Sequence, residues 1–162
     1  ATWFDTRLTD LIAGTADFRS VENIQRARTR GVEVSARVDL GAATEVRGNY
    51  SYLEAENLSS SRRLLRRPRH RVRADLWRNF GRGFSAGAGV AVTARREDVD
   101  AQTFRTIDGE DFTVVRAYGE YRISPRLAVK ARLENLLDEK YEEVNGYPAL
   151  GVGAFAGIEW RF

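Results

Sequence analysis

Apolar and polar residues alternate along most of the chain with the period of two that is typical of β-strands. The clearest example lies at residues 152–162, where successive side chains would point to opposite faces of a sheet. An alternating run of about 10 residues is long enough to cross a bilayer, so the pattern predicts a membrane strand. An amphipathic edge strand of a soluble β-protein is the alternative for this segment. Its apolar set is Val152, Ala154, Ala156, Ile158, Trp160 and Phe162.

Seven further alternating segments precede this one, and helical periodicity is almost absent. The length is that of one domain, so we predict an all-β fold in which residues 1–162 form a single domain. The eight predicted strands lie at about 2–12, 22–40, 43–55, 69–80, 84–96, 112–123, 127–136 and 152–162.

The connections between these strands fall into two classes of length. Three are tight turns containing Gly, Ser or Pro, and the others are long and polar. Short turns at one end of a sheet and long loops at the other are typical of outer-membrane barrels. The sequence therefore predicts an antiparallel, transmembrane, up-and-down β-barrel with about eight strands in this chain. The turns lie at 41–43, 81–83 and 124–126, and the long links at about 13–21, 56–68, 97–111 and 137–151.

The composition of the two strand faces indicates which of them meets lipid. The apolar face is rich in small residues such as Ala86, Ala88 and Ala131, which would fill a soluble core poorly. Aromatic residues also cluster near strand ends, where interfacial girdles belong. We therefore predict that the apolar face points outward. The other face carries basic and acidic side chains in near balance, which predicts cross-strand ion pairs or contact with a polar plug.

Overall composition is compatible with this interpretation. The chain has no cysteine, which excludes a disulfide framework and thiol metal sites. No apolar run approaches the roughly 18 residues of a transmembrane helix. A mean hydropathy of −0.45 fits a membrane barrel, because only every second strand residue faces lipid.

Four separated segments resemble the C-terminal part of TonB-dependent outer-membrane receptors, and they are closest to the vitamin B12 (corrinoid) branch. They are the runs 23–33, 65–70 and 134–141, and Gly146-Tyr147-Pro148 followed by the terminal aromatic residue. The matching positions are Asn23, Ala27, Arg28, Gly31, Glu33, Arg67, Pro68, Arg69, Asn135, Leu136, Asp138 and Tyr141. The spacing of Phe155, Gly157, Trp160 and Phe162 resembles the signal that such barrels present to their assembly machinery.

The resemblance implies a barrel of about 22 strands with a plugged lumen, in the outer membrane of a Gram-negative bacterium. Such receptors import corrinoids, haem or iron–siderophore complexes with energy from the TonB system. It further implies contacts with outer-membrane lipid, lipopolysaccharide and the barrel assembly machinery, and no cofactor or nucleic acid. We expect no plug domain within this chain, and contact with TonB only through a region N-terminal to it.

Two alternatives to this assignment remain. One is a free-standing eight-stranded outer-membrane barrel with a structural role and no transport activity, in which strand 2–12 would pair with strand 152–162. Its interior would be just wide enough for side chains to fill. The other, less favoured, is a soluble ligand-binding barrel.

The densest run of charge lies in the second long link. Arg62, Arg63, Arg66 and Arg67 form a candidate contact for an anion or for lipopolysaccharide phosphates. The alternative is a polar loop that enters a charged wall. Nucleic-acid binding is disfavoured because no aromatic residue lies beside the run to stack on a base.

Other candidate chemistry is weaker. The acidic residues of 97–100 with Asp108, Glu110 and Asp111 could bind Ca²⁺, but their spacing is irregular and a solvated loop is favoured. His70 is the only histidine, and no spacing to Ser59–Ser61 supports a catalytic triad, so we predict that the chain is not an enzyme. We expect Asn135, Asp138 and Tyr141 to shape a strand end.

Overall fold

The computed structural model describes residues 1–15 and 19–162, and these residues form thirteen β-strands. No helix long and apolar enough to cross a membrane occurs in these two ranges. The strands are β1 (Thr2–Gly14), β2 (Val21–Leu40), β3 (Thr44–Asn57), β4 (Arg62–Arg63), β5 (His70–Gly81), β6 (Phe84–Ala94), β7 (Arg96–Val99), β8 (Thr106–Gly109), β9 (Phe112–Ser124), β10 (Leu127–Glu134), β11 (Glu142–Val144), β12 (Tyr147–Pro148) and β13 (Gly153–Trp160).

Eight long strands form one antiparallel meander in the order β1-β2-β3-β5-β6-β9-β10-β13. Each pairs with the next long strand in sequence, so the prediction of an all-β, up-and-down arrangement is confirmed. The bounds agree with the predicted ones to within a few residues. The five short strands lie inside the long links, where β4 pairs antiparallel with the end of β3 and the pairs β7–β8 and β11–β12 form small hairpins.

The sheet is open. Strands β1 and β13 are its two edges, and no pairing joins them among the described residues. The closure required by the free-standing eight-stranded alternative is therefore not formed. On the polar face, bulky side chains including Trp77, Arg116 and Tyr118 line a cavity of about 890 Å³. Eight strands closed on themselves would leave little more room than ordinary side chains fill.

The sheet has almost no apolar core of its own. Among the described residues, the buried apolar side chains are Ala27, Ala55, Val99, Phe112 and Ala128. The accessible surface is 11433 Å², whereas a folded monomer of this size would expose about 8,100 Å². The chain therefore leaves an apolar face and two backbone edges for other partners to cover.

Candidate functional site

The apolar face carries aromatic side chains at both of its ends. At the long-loop end, Trp3, Val32, Tyr52 and His70 are in register across four neighbouring strands. The opposite end, beside the short turns, exposes Phe80, Phe84, Tyr121 and Trp160. Two aromatic girdles that bound an apolar band are what a bilayer-spanning barrel presents to the two interfaces.

The polar face carries the ion pairs expected of it. Glu45 accepts from Arg37 Nη2 at 2.6 Å and also pairs with Arg47. Further along the sheet, Glu159 pairs with both Lys130 and Arg161. These side chains are partly exposed, so each pair alone adds little stability. Together the pairs balance the charge of the sheet face that lines the 890 Å³ cavity.

Two contacts on this face pass directly over strand β6. Asp75, Gly89 and Arg116 are in register on β5, β6 and β9, and Arg116 Nη2 lies 2.7 Å from Asp75 Oδ1. One step along, Trp77 and Tyr118 stack over Gly87 with ring centroids 5.4 Å apart. A Cβ at Gly89 would lie 2.3 Å from Asp75 Oδ1, so the bridge requires glycine there. Sequence reasoning missed this group, although the glycines at alternate positions of β6 were a usable signal.

The long loops are held together around a buried carboxylate. Asp98 is fully buried and accepts hydrogen bonds from Arg66 Nε, Val99 N and Asn145 N, each at 2.8 Å. Burial alone would raise its pKa, but these three donors hold the pKa below its ordinary value of 3.8. Asp98 therefore ties the link before β5 to the β7–β8 and β11–β12 hairpins.

The predicted basic run is only partly available to a ligand. Arg63 Nη1 lies 3.1 Å from Glu97 Oε1, and Arg66 is committed to Asp98. Arg62 and Arg67 are exposed and make no ion pair within the described ranges. Contact of this run with an anion stays a prediction.

The acidic link and His70 have local partners. Asp100 accepts from Thr103 N at 2.6 Å, Thr103 Oγ1 at 2.8 Å and Gln102 N at 3.0 Å, which lowers its pKa and shapes a turn. Within residues 1–15 and 19–162 no group of three acidic, His or Cys side chains could hold a metal ion. His70 Nδ1 lies 2.8 Å from Tyr50 Oη on the apolar face, whereas the amides of Ser59 and Ser60 bind Asn57 Oδ1.

Comparison with known proteins identifies the family to which these features belong. The family model described as TonB dependent receptor-like, beta-barrel, matches residues 1–136. The chain belongs to this family. It is a family of TonB-dependent transporters and receptors, not of enzymes, and its members are outer-membrane β-barrels of Gram-negative bacteria.

Several solved receptor structures share the fold. The ferric-catecholate import receptor Fiu of E. coli K12 is 21% identical over 99% of this chain, with a TM-score of 0.75. The siderophore receptor PirA of Acinetobacter baumannii is 13% identical over 99%, with a TM-score of 0.77. FpvA of P. aeruginosa, solved with pyoverdines, is 14% identical over 98%, with a TM-score of 0.76. The chain spans 24% of Fiu and FpvA and 29% of PirA.

The receptor-like motif at 134–141 joins the end of β10 to the following link by side-chain hydrogen bonds. Asn135 is buried with φ 52°, and its Nδ2 donates to Glu139 O at 3.0 Å and Leu150 O at 3.1 Å. Its Oδ1 accepts from Glu139 N at 2.9 Å. Nearby, the Lys140 ammonium holds the pKa of Asp138 below its usual range. The Tyr141 ring stacks on the Phe112 ring, with their centroids 4.1 Å apart. Leu136 is partly exposed. The role of these residues in shaping the strand end stays a prediction.

The motif at 23–33 lies in β2 and packs it against its neighbours. Ala27 is fully buried, and Arg28 pairs with Asp5 of β1. Gly31 lies beneath the Phe4 ring. Asn23 and Glu33 are ladder residues opposite Ile12 and Thr2, respectively. In the motif at 65–70, Pro68 is buried and Arg69 continues the strand ladder, since its amide donates to Arg95 O at 3.1 Å.

The four residues of the predicted assembly signal lie on both faces of β13 and its extension. Phe155 is on the polar face with the Arg132 guanidinium 4.7 Å from its ring centroid, and Gly157 shares that face. Trp160 and Phe162 are exposed, and Trp160 belongs to the aromatic girdle beside the short turns. Recognition by an assembly machinery stays a prediction.

Proposed function

We propose that residues 1–162 form the C-terminal part of the barrel wall of a TonB-dependent transporter in the outer membrane of a Gram-negative bacterium. The observation that carries this proposal is the open eight-stranded sheet, with an apolar outer face, a charged inner face and two unpaired edges. Strands from the remainder of a large barrel would pair with β1 and β13 and remove both edges. The plug and the TonB contact would be supplied by a region outside these 162 residues, which form one barrel segment.

The proposed cargo is a scarce metal-chelate nutrient. The motif resemblance favours a corrinoid, whereas the likeness to a ferric-catecholate import receptor, to a siderophore receptor and to FpvA with its pyoverdines favours a ferric siderophore. Both are too large for a closed eight-stranded lumen, which is why transport requires the complete barrel.

The proposed partners on the outer face are lipid and lipopolysaccharide. Asp5 and Arg7 follow Trp3 on the same face of β1, and Arg30 and Arg28 lie opposite them on β2. Arg28 Nε donates to Asp5 Oδ1 at 2.8 Å and Arg30 pairs with Glu54 of β3, so a cluster of arginines with two carboxylates lies just beyond the aromatic girdle at the long-loop end. This is the depth of phosphate headgroups, to which guanidinium groups bind well. At the other end, the assembly machinery would recognise Phe155, Gly157, Trp160 and Phe162.

Single-cysteine labelling tests the placement of the wall, because the chain has no native cysteine. Ala88 lies on the outer face of β6 and Ala91 on the inner face. We expect a fluorophore on Ala88→Cys to be quenched by doxyl-labelled lipid in outer-membrane vesicles, and one on the matched Ala91→Cys to be spared. Equal quenching at both positions would contradict a wall with one lipid face.

Uptake tests the transport function. In a host lacking its own siderophore and corrinoid receptors, the full-length receptor that contains this chain should restore accumulation of ferric siderophore or cobalamin. Because TonB supplies the energy, we expect accumulation to fall to background when TonB is deleted. Accumulation that persists without TonB would refute the proposal. Residues 1–162 expressed alone should restore none, since their sheet does not close.

A further inference from the structure

A second cavity lies at the long-loop end of the sheet. It has a volume of about 430 Å³ and lies between the ends of β5 and β6 and the β7–β8 hairpin. Four arginines and two aspartates line it, so its chemistry is unlike that of a solvated loop. They are Arg63, Arg69, Arg95, Arg96, Asp108 and Asp111.

Two of these arginines have buried donors without acceptors. The Nε atoms of Arg69 and Arg96 are buried and have no hydrogen-bond partner in the described parts of the chain. Arg96 is only 6% exposed, its Nη2 donates to Glu142 O, and its guanidinium lies 5.5 Å from the Phe112 ring centroid. Buried guanidinium donors are normally satisfied, so these two Nε atoms indicate that the cavity accommodates a ligand with hydrogen-bond acceptors.

The charges around the cavity do not cancel. Arg63 is neutralised by Glu97, and its Nη2 donates to Arg95 O at 3.1 Å. Arg69, Arg95 and Arg96 make no ion pair within residues 1–15 and 19–162. Of the side chains that line the cavity, only Asp108 and Asp111 oppose them, and Glu54, outside the lining, also interacts electrostatically with Arg69. Asp111 already accepts from Arg95 N at 2.7 Å. With Arg63 neutralised, the side chains that line the cavity therefore carry one excess positive charge, enough for one anionic group.

We infer that this cavity binds an oxyanion, a single carboxylate or phosphate group, between the guanidinium groups of Arg69 and Arg95, with Arg96 forming the buried wall. Planar guanidinium groups bind both anions through two parallel hydrogen bonds. The orientation rests on the proposed function, which places the long loops outside the cell, so the ligand arrives from the medium. The anion is either free or a group carried by the cargo itself.

Calorimetric titration of the detergent-purified, full-length receptor with inorganic phosphate, and separately with citrate, tests the inference. We expect Arg69→Gln and Arg95→Gln each to weaken binding by about tenfold, because each removes one charge-assisted contact. Arg105→Gln is the matched control, since Arg105 is an exposed arginine of the adjacent β7–β8 hairpin that does not line the cavity, and the affinity of this variant for phosphate should equal that of the unmodified protein. Heat-dependent gel mobility verifies that every variant is folded.

Absence of binding by the unmodified protein, or equal weakening in Arg105→Gln, would overturn the inference. Uptake separates the two sources of the anion. If the KM for cargo rises with the loss of phosphate affinity, the cargo carries the group, and if uptake is unchanged, the site holds a free anion. TonB-independent uptake would refute the proposed function while leaving the phosphate titration intact, so the two failures are distinguishable.

Discussion

Replacement of Gly31 by alanine is expected to lower the free energy of unfolding of the folded receptor by about 2 to 3 kcal/mol. A Cβ at this position would lie 2.0 Å from Tyr52 O and 2.8 Å from Phe4 Cζ. The first atom belongs to the backbone of the paired strand β3 and cannot turn aside, so β2 must separate from β3 or the Phe4 ring must leave its place. The measurement is urea unfolding in detergent, followed by tryptophan fluorescence.

Gly48→Ala is the matched control for this substitution. Gly48 lies on β3, and the atom nearest to a Cβ added there would be Arg73 O at 4.0 Å, an ordinary contact. We expect the free energy of unfolding of Gly48→Ala to change by less than about 0.5 kcal/mol, because the added methyl group meets no steric conflict. Equal losses at Gly31 and Gly48 would show that alanine disfavours these strands for a reason other than the close approach of β2 and β3.

Replacement of Asp98 by alanine is expected to lower the free energy of local unfolding of the long loops by about 3 kcal/mol. The substitution leaves Arg66 Nε and two backbone amides without their buried acceptor. Hydrogen exchange should accelerate in the link before β5 and in the β7–β8 and β11–β12 hairpins, while the long strands keep their protection. Glu110→Ala, at an exposed acidic position directly after the same β7–β8 hairpin, should leave exchange unchanged. Faster exchange throughout the sheet would mean that the loops and the wall unfold as one unit.

The same carboxylate sets an acid limit for the loops. The pKa of Asp98 is lower in the folded chain than its ordinary value of 3.8, so its contribution to stability is fully present above that value. As the pH falls through the lower, folded pKa, the carboxylate takes up a proton and the contribution is lost. Protection factors of the loop amides, which are the intrinsic exchange rates at each pH divided by the observed rates, should therefore fall in this acid range in the native protein, and much less in Asp98→Ala.

The long strands are predictable from the sequence, because a strand with one lipid face must alternate. The alternation predicts β2 at 22–40, and the strand lies at Val21–Leu40. The short hairpins escape prediction because two to four residues carry no measurable period, and β7 is formed by Arg96–Val99, whose composition is typical of an acidic loop. The open edges are also beyond reach, since alternation describes a single strand and does not say how many strands share a barrel.

The site residues divide along the same line. Asn135 and Gly31 are found through motif resemblance, and local geometry explains both. Trp77, Tyr118, Arg95 and Arg96 are not found, because their chemistry depends on register across several strands, and Arg69 is found only as a motif position. Arg63 and Arg66 show the converse, since a basic run that suggests ligand binding contains two residues committed to Glu97 and Asp98.

The bridges over β6 have a consequence for how the wall assembles. In the observed register, Gly89 lies beneath the Asp75–Arg116 pair and Gly87 beneath the Trp77–Tyr118 stack. A slip by one residue would bring Ala88 or Val90 under the ion pair, and a slip by two would bring Ser85 or Ala91 under one of the bridges. Only one alignment of β6 leaves both bridges free of a Cβ. The two glycines thus select one register of β6 during assembly. Backbone hydrogen bonding alone cannot make this selection, because every register satisfies the backbone equally well.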